Sequence, residues 1–194
     1  MTNRYDGDLP ICIKNGNKTI NIRNRCDYRI VKKTIRALKD IDLEEIDRVR
    51  CALIIFYENY NDIIDVKEAI KQMFFVIGCE NEYKQKWNIS VEEKEVPPIM
   101  DWDYDWDIIA PEINKVLGYE IRMPDTYVHW WTLVGAYKCI GEGVFNSIIS
   151  IRDKKQKGKK MEKWEQEYYR ENRKMIDLPR RLTAEEEEFL NSDW

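Results

Sequence analysis

Residues 101–112 read DWDYDWDIIAPE: four aspartates on alternate positions, with two tryptophans and a tyrosine between them and a glutamate at the end. Three readings compete: a metal loop, a strand with one acidic face, or the approach to a helix. Laid on a calcium loop, Asp101, Asp103 and Asp105 take positions one, three and five, and Glu112 takes position twelve. Position six needs a glycine for the sharp turn and is Trp106, while Pro97 and Pro98 stand where an entering helix is required. The stretch is therefore expected to bind no calcium. Its alternation predicts a short extended segment, with Trp102, Tyr104 and Trp106 pinning it to a helical core and the aspartates in water. Asp107 then sits at the start of a helix over IIAPEINKVLG, where negative charge is favoured, with Pro111 near its first turn and Gly118 at its end.

Helical spacing continues on both sides of this segment. Asp125 is expected to cap a helix over TYVHWWTLVGAYKCI, with Val128, Trp131, Leu133, Val134, Tyr137 and Ile140 inward. So few polar faces mark the centre of the core, with Trp131 buried in it. VFNSIISIRDKK reads as a further helix with Val144, Ile148, Ile149 and Ile151 inward. Upstream, the Asn15-Gly16 step between alternating isoleucines predicts one β-hairpin over residues 11–22. A helix follows from Asp27, and Asp42 is expected to cap a second, with Leu43, Ile46, Val49, Leu53 and Phe56 inward. A third begins at Asp65 and stops at Gly78, and the polar run 80–100, broken by Pro97 and Pro98, reads as a surface loop. The predicted class is mainly α: a helical domain with an N-terminal β-hairpin and a C-terminal helical arm.

The chain has 194 residues, 43% of them hydrophobic, which is enough for one core with an appendage. Its net charge of −4 excludes a general nucleic-acid polycation. Five scattered cysteines without a C-x-x-C pair argue against a disulfide framework or a zinc site. No apolar run approaches the roughly 18 residues of a membrane span, and MTNRYDGDLP is no signal peptide. The expected location is the cytoplasm. From Arg152 to Lys160 the composition shifts to six basic residues and one acidic one, which suggests a core domain over 1–151 and a charged arm with an acidic tail over 152–194. In the arm, Trp164, Tyr168, Tyr169, Phe189, Leu190 and Trp194 are the expected partner-binding residues, facing another protein or a second copy. The alternative is that the arm folds back and covers these side chains with residues before 152.

Chemistry-bearing patterns are sparse. His129 is the only histidine, lies beside Trp130 and Trp131 in a predicted helix, and has no serine or cysteine in a nucleophile motif near it. GEG and KGKK lack the strand and spacing of a phosphate-binding loop. No catalytic residue, cofactor site or metal site is predicted.

Residues 99–178 resemble the bacteriophage tail-assembly family of Gram-positive siphophages, whose proteins are similar to tail assembly chaperones. The resemblance rests on the acidic-aromatic stretch with Asp107, on YVHWWTLVGAY, on FNSIISIRDKK and on EYYRENRKMIDL, with Asp27, Tyr28 and Arg29 fitting an opening helix start. It implies a non-enzymatic protein that shields the tape measure protein during tail assembly in the bacterial host, with contacts to other tail proteins or to itself and none to nucleic acid or membrane. It marks Asp107, His129, Trp130, Trp131 and Arg152 as motif residues, read as structural. A tail connector in the virion is the alternative, with a metal-dependent enzyme or calcium-binding module behind it.

Overall fold

The computed structural model describes residues 8–78 and 98–179. Along the chain run β1 (Cys12–Asn15), β2 (Lys18–Asn21), α1 (Tyr28–Leu38), α2 (Glu45–Phe56), α3 (Val66–Ile77), α4 (Trp106–Leu117), α5 (Trp130–Lys138), α6 (Val144–Gln156), α7 (Lys163–Glu171) and the single turn α8 (Arg173–Ile176). The protein is mainly α with one two-stranded antiparallel hairpin, as the periodicities predict. Among the described residues, no helix is long and apolar enough to cross a membrane. The chain divides into two compact units, Met1–Lys94 with Tyr127–Val134, and Glu95–Thr126 with Gly135–Trp194.

In the first unit the hairpin pairs Ile13 with Ile20 and Asn15 with Lys18, so the two-residue turn is Gly16 and Asn17, with Gly16 at φ 62°. The turn sits one residue later than a central Asn-Gly step would put it, and Asn15 is thereby released to do something else. Its buried amide oxygen accepts from the backbone N–H groups of Ile64 and Asp65, both at 2.8 Å, and its nitrogen donates to Asp65 O at 2.6 Å. This fixes the hairpin to the start of α3, where the Asp65 carboxylate accepts from Glu68 N at 3.0 Å. Gly78, at φ 89°, ends α3 as expected. The second helix departs from expectation. It starts at Glu45 rather than after an Asp42 cap, and Ile46 is 74% exposed while Ala52, Leu53 and Phe56 are buried.

Between the hairpin and α1, Asn24, Arg25 and Cys26 all take left-handed φ values of 48°, 53° and 63°. Such a conformation costs roughly 1–2 kcal/mol per residue. Its neighbour Arg23 donates to the carbonyls of Ile55, Ile54 and Tyr57 at 2.9, 3.0 and 2.9 Å, satisfying groups that the end of α2 leaves without helical partners. Burial of Cys26 in this turn pushes its thiol pKa up to about 12. Asp27 then caps α1 by accepting from Arg29 N at 2.9 Å.

In the second unit α4 begins at Trp106, two residues before the predicted start, so Pro111 lies in the helix interior rather than near the first turn. Gly118, at φ 80°, ends it. Ile109, Ala110 and Ile113 of α4 and Phe145, Ile148 and Ile151 of α6 are buried. Helix α6 continues through Arg152 to Gln156, so the change to basic composition falls inside a helix.

Candidate functional site

In the second unit the acidic stretch and the Ile-Arg segment meet. Arg152 of α6 is 6% exposed and Asp105 is fully buried. Nη1 and Nη2 of the guanidinium donate to Oδ2 and Oδ1 of Asp105, each at 2.8 Å. The same two nitrogens reach Ile99 O and Met175 O, both at 3.1 Å, and Nε donates to Ile176 O. Those five bonds use every N–H that an arginine carries. Asp105 Oδ2 also accepts from Asp101 N at 2.9 Å, and Asp101 Oδ1 accepts from Asp103 N and Tyr104 N at 2.8 and 3.0 Å. The stretch is thus a turn folded on its own carboxylates, which corrects the extended segment with all aspartates in water. Trp102 does pack, 5.2 Å from Tyr137, but Tyr104 is 39% exposed. Asp107 is exposed in the first turn of α4. Among the described residues, no group of three or more histidine, cysteine, aspartate or glutamate side chains could hold a metal ion.

The His-Trp-Trp motif lies in the first unit and starts α5 instead of filling its middle. Residues 127–129 precede the helix, and His129 forms an antiparallel bridge with Asp27. The His129 ring is 2% exposed. Its Nδ1 accepts from Trp131 N at 3.0 Å and its Nε2 lies 3.1 Å from Pro10 O, so the neutral Nε2–H form satisfies both. The two indoles reach the end of α3: Trp130 Nε1 donates to Ile77 O at 3.1 Å and Trp131 Nε1 to Val76 O at 2.8 Å. These carbonyls belong to the last turn, where no helical N–H remains to bind them. Trp130 is the buried indole at 3% exposed, and Trp131 is half-buried against Phe75, at 6.0 Å between rings. The expected burial of Trp131 is corrected: helix α5 starts after His129, so Trp130 and Leu133 point inward.

Burial lowers the His129 pKa below its ordinary 6.5, and the Pro10 carbonyl and Asp27 oppose the shift. The folded protein therefore takes up this proton less readily than the unfolded chain. Its contribution to stability is complete above the unfolded pKa of about 6.5 and is lost as pH falls through the lower folded value. In urea melts, the stability advantage of the wild type over His129→Gln is expected to shrink from about pH 7.5 to about pH 5.5. A constant difference would show that the ring does not bind its neighbours in the neutral form.

The arm residues are placed in three ways. Tyr168 and Tyr169 are half-buried against Ile148, Ile151 and Ile176, an arrangement of the fold-back kind. Tyr169 Oη donates to Asp177 Oδ2 at 2.9 Å, and Lys155 Nζ lies 4.3 Å from the centre of its ring. Trp164 is 51% exposed, with its indole N–H on Glu162 Oε2 at 3.0 Å. Phe189, Leu190 and Trp194 lie outside the described residues. Beneath α7, Glu165 accepts from Lys154 Nζ at 2.6 and 2.7 Å and from Glu162 N at 2.8 Å, and the lysine bond holds its carboxyl pKa below the usual range.

Sequence reasoning missed Asp105, Asn15 and Arg23. Nothing local separates Asp105 from Asp101 and Asp103, whereas an arginine on the face that continues Ile148 and Ile151 was a usable sign of a buried partner. Residues 10–178 match the family model described as Bacteriophage Gp15 protein. Neither the curated proteins nor the solved structures contain a match. With the match spanning both the histidine-tryptophan cap and the buried arginine, the chain belongs to the bacteriophage Gp15 protein family.

Proposed function

We propose that this chain is a non-enzymatic tail-assembly protein that binds the phage tape measure protein in the host cytoplasm and shields it until the tail tube closes around it. Membership in a bacteriophage protein family over residues 10–178 is the observation that carries this reading. The resemblance of its His-Trp-Trp and Ile-Arg segments to tail-assembly proteins gives it direction. Physical chemistry supplies the need: a long helical chain with one apolar face self-associates unless that face is covered. The polar groups an enzyme would draw on have other work: Asp105 and Arg152 are bonded to each other and to backbone, and His129 is bonded to the backbone of Trp131 and Pro10. Co-expression with the tape measure protein of the same phage is expected to raise its soluble yield severalfold and to co-purify the two, while finished particles lack this chain. Stoichiometric recovery of the chain from purified virions would overturn the chaperone reading in favour of a connector.

A further inference from the structure

The corner between α6 and α7 carries an unbalanced charge. Gly158, at φ 63°, turns the chain, and Lys159 N closes the turn on Lys154 O at 2.8 Å. Lys154 and Lys155 are paired with Glu165 and Asp177, and Lys157 with Asp153. Lys159, Lys160 and Lys163 are exposed and have no carboxylate partner among the described residues. Next to them stands Trp164, half its surface open. An exposed lysine run alone is ordinarily a solvated face. Here the same chain carries a complement in charge and in apolar character: Glu185 to Glu188, followed by Phe189 and Leu190.

We propose that this basic corner, Lys157, Lys159, Lys160 and Lys163 with Trp164, docks the chain's own acidic run Glu185–Glu188 and the Phe189 that follows it. Reach is favourable. The Lys155–Asp177 ion pair holds the chain beside the last turn of α6 just before Pro179, two residues from Lys157. Five residues separate Pro179 from Glu185, enough to span about 20 Å when extended. A tether of that length keeps the acidic run at an effective concentration in the millimolar range, so weak exposed ion pairs suffice. The acidic run lies beyond the segment that matches the family, which ends at residue 178, and the basic corner lies within it. It is independent of the tape measure reading, because both groups it joins lie in this protein.

The test is zero-length carbodiimide cross-linking of the full chain, with an equimolar mixture of 15N-labelled and unlabelled protein analysed by mass spectrometry. The expected result is cross-links from Glu185–Glu188 to Lys157, Lys159, Lys160 and Lys163 in same-isotope pairs. Their yield should fall by about an order of magnitude as the screening length shrinks from ~30 Å at 0.01 M salt to ~3 Å at 1 M. Trp164→Ala should lower it by roughly two- to tenfold, the worth of an aromatic pair with Phe189. The double variant Lys159→Glu/Lys160→Glu, at exposed positions that leave the circular dichroism unchanged, should abolish the signal at the whole corner. Equal cross-linking to lysines outside the corner, such as Lys115 of α4, would overturn the proposal, as would salt-insensitive yields. Mixed-isotope pairs alone would overturn it too, by making a second copy the occupant.

Discussion

Arg152→Leu is expected to lower stability by about 3–5 kcal/mol, because it leaves the Asp105 carboxylate buried without its counter-charge. It also strips hydrogen bonds from the carbonyls of Ile99, Met175 and Ile176. For a chain of this length the loss corresponds to a fall in melting temperature of roughly 10 °C. Asp105→Leu alone should be comparably harmful, since it strands a buried guanidinium. The double variant Asp105→Leu/Arg152→Met should regain much of the loss, because a well-packed apolar pair can replace a buried ion pair at little cost. Hydrogen exchange locates the effect: amides of α4, α6 and α8 should lose protection while those of α1 to α3 keep theirs. Single variants that melt with the wild type would show that Asp105 and Arg152 are open to solvent in solution.

Trp130→Ala is expected to cost about 3–5 kcal/mol, the range for deleting a buried aromatic, and Trp131→Ala about 1–2 kcal/mol. Helical spacing read from the sequence assigns the larger of these ranges to Trp131. Burial and hydrogen bonding separate by a second pair of variants. Phenylalanine at either position keeps most of the ring and removes the N–H that caps Ile77 O or Val76 O, so each is expected to cost about 1–3 kcal/mol. Chemical denaturation of the four variants checks the order. A Trp131→Ala loss equal to that of Trp130→Ala would restore the first expectation.

Four of the side chains that decide this fold do one job. Arg23 binds carbonyls at the end of α2, Trp130 and Trp131 bind those at the end of α3, and Arg152 binds those at the end of α8. Helix ends leave carbonyls without partners, and a buried orphan carbonyl is costly, so long side chains with N–H donors are drawn to them. This accounts for the motif residues Trp130, Trp131 and Arg152 as parts of the scaffold. The residues expected to bind a partner are a different case. Trp164 was legible as an exposed aromatic, while Tyr168 and Tyr169 read the same way in sequence and pack on isoleucines of α6 and α8.

What the amino-acid order determined by itself is local. Asp27 and Asp65 as caps, Gly78 and Gly118 as stops, the period-two run before Gly16 and the helical spacing after Asp27 each depend on neighbours within four residues. The tertiary structure decided which of several equivalent residues is buried. Asp105 is chosen from the four aspartates by an arginine 47 residues away, Trp130 rather than Trp131 by a carbonyl 53 residues back, and Asn15 by the start of a helix 50 residues on. Periodicity shows that a segment has an inner face. Where that face begins depends on the groups that must find partners once water is excluded, and those groups lie elsewhere in the chain.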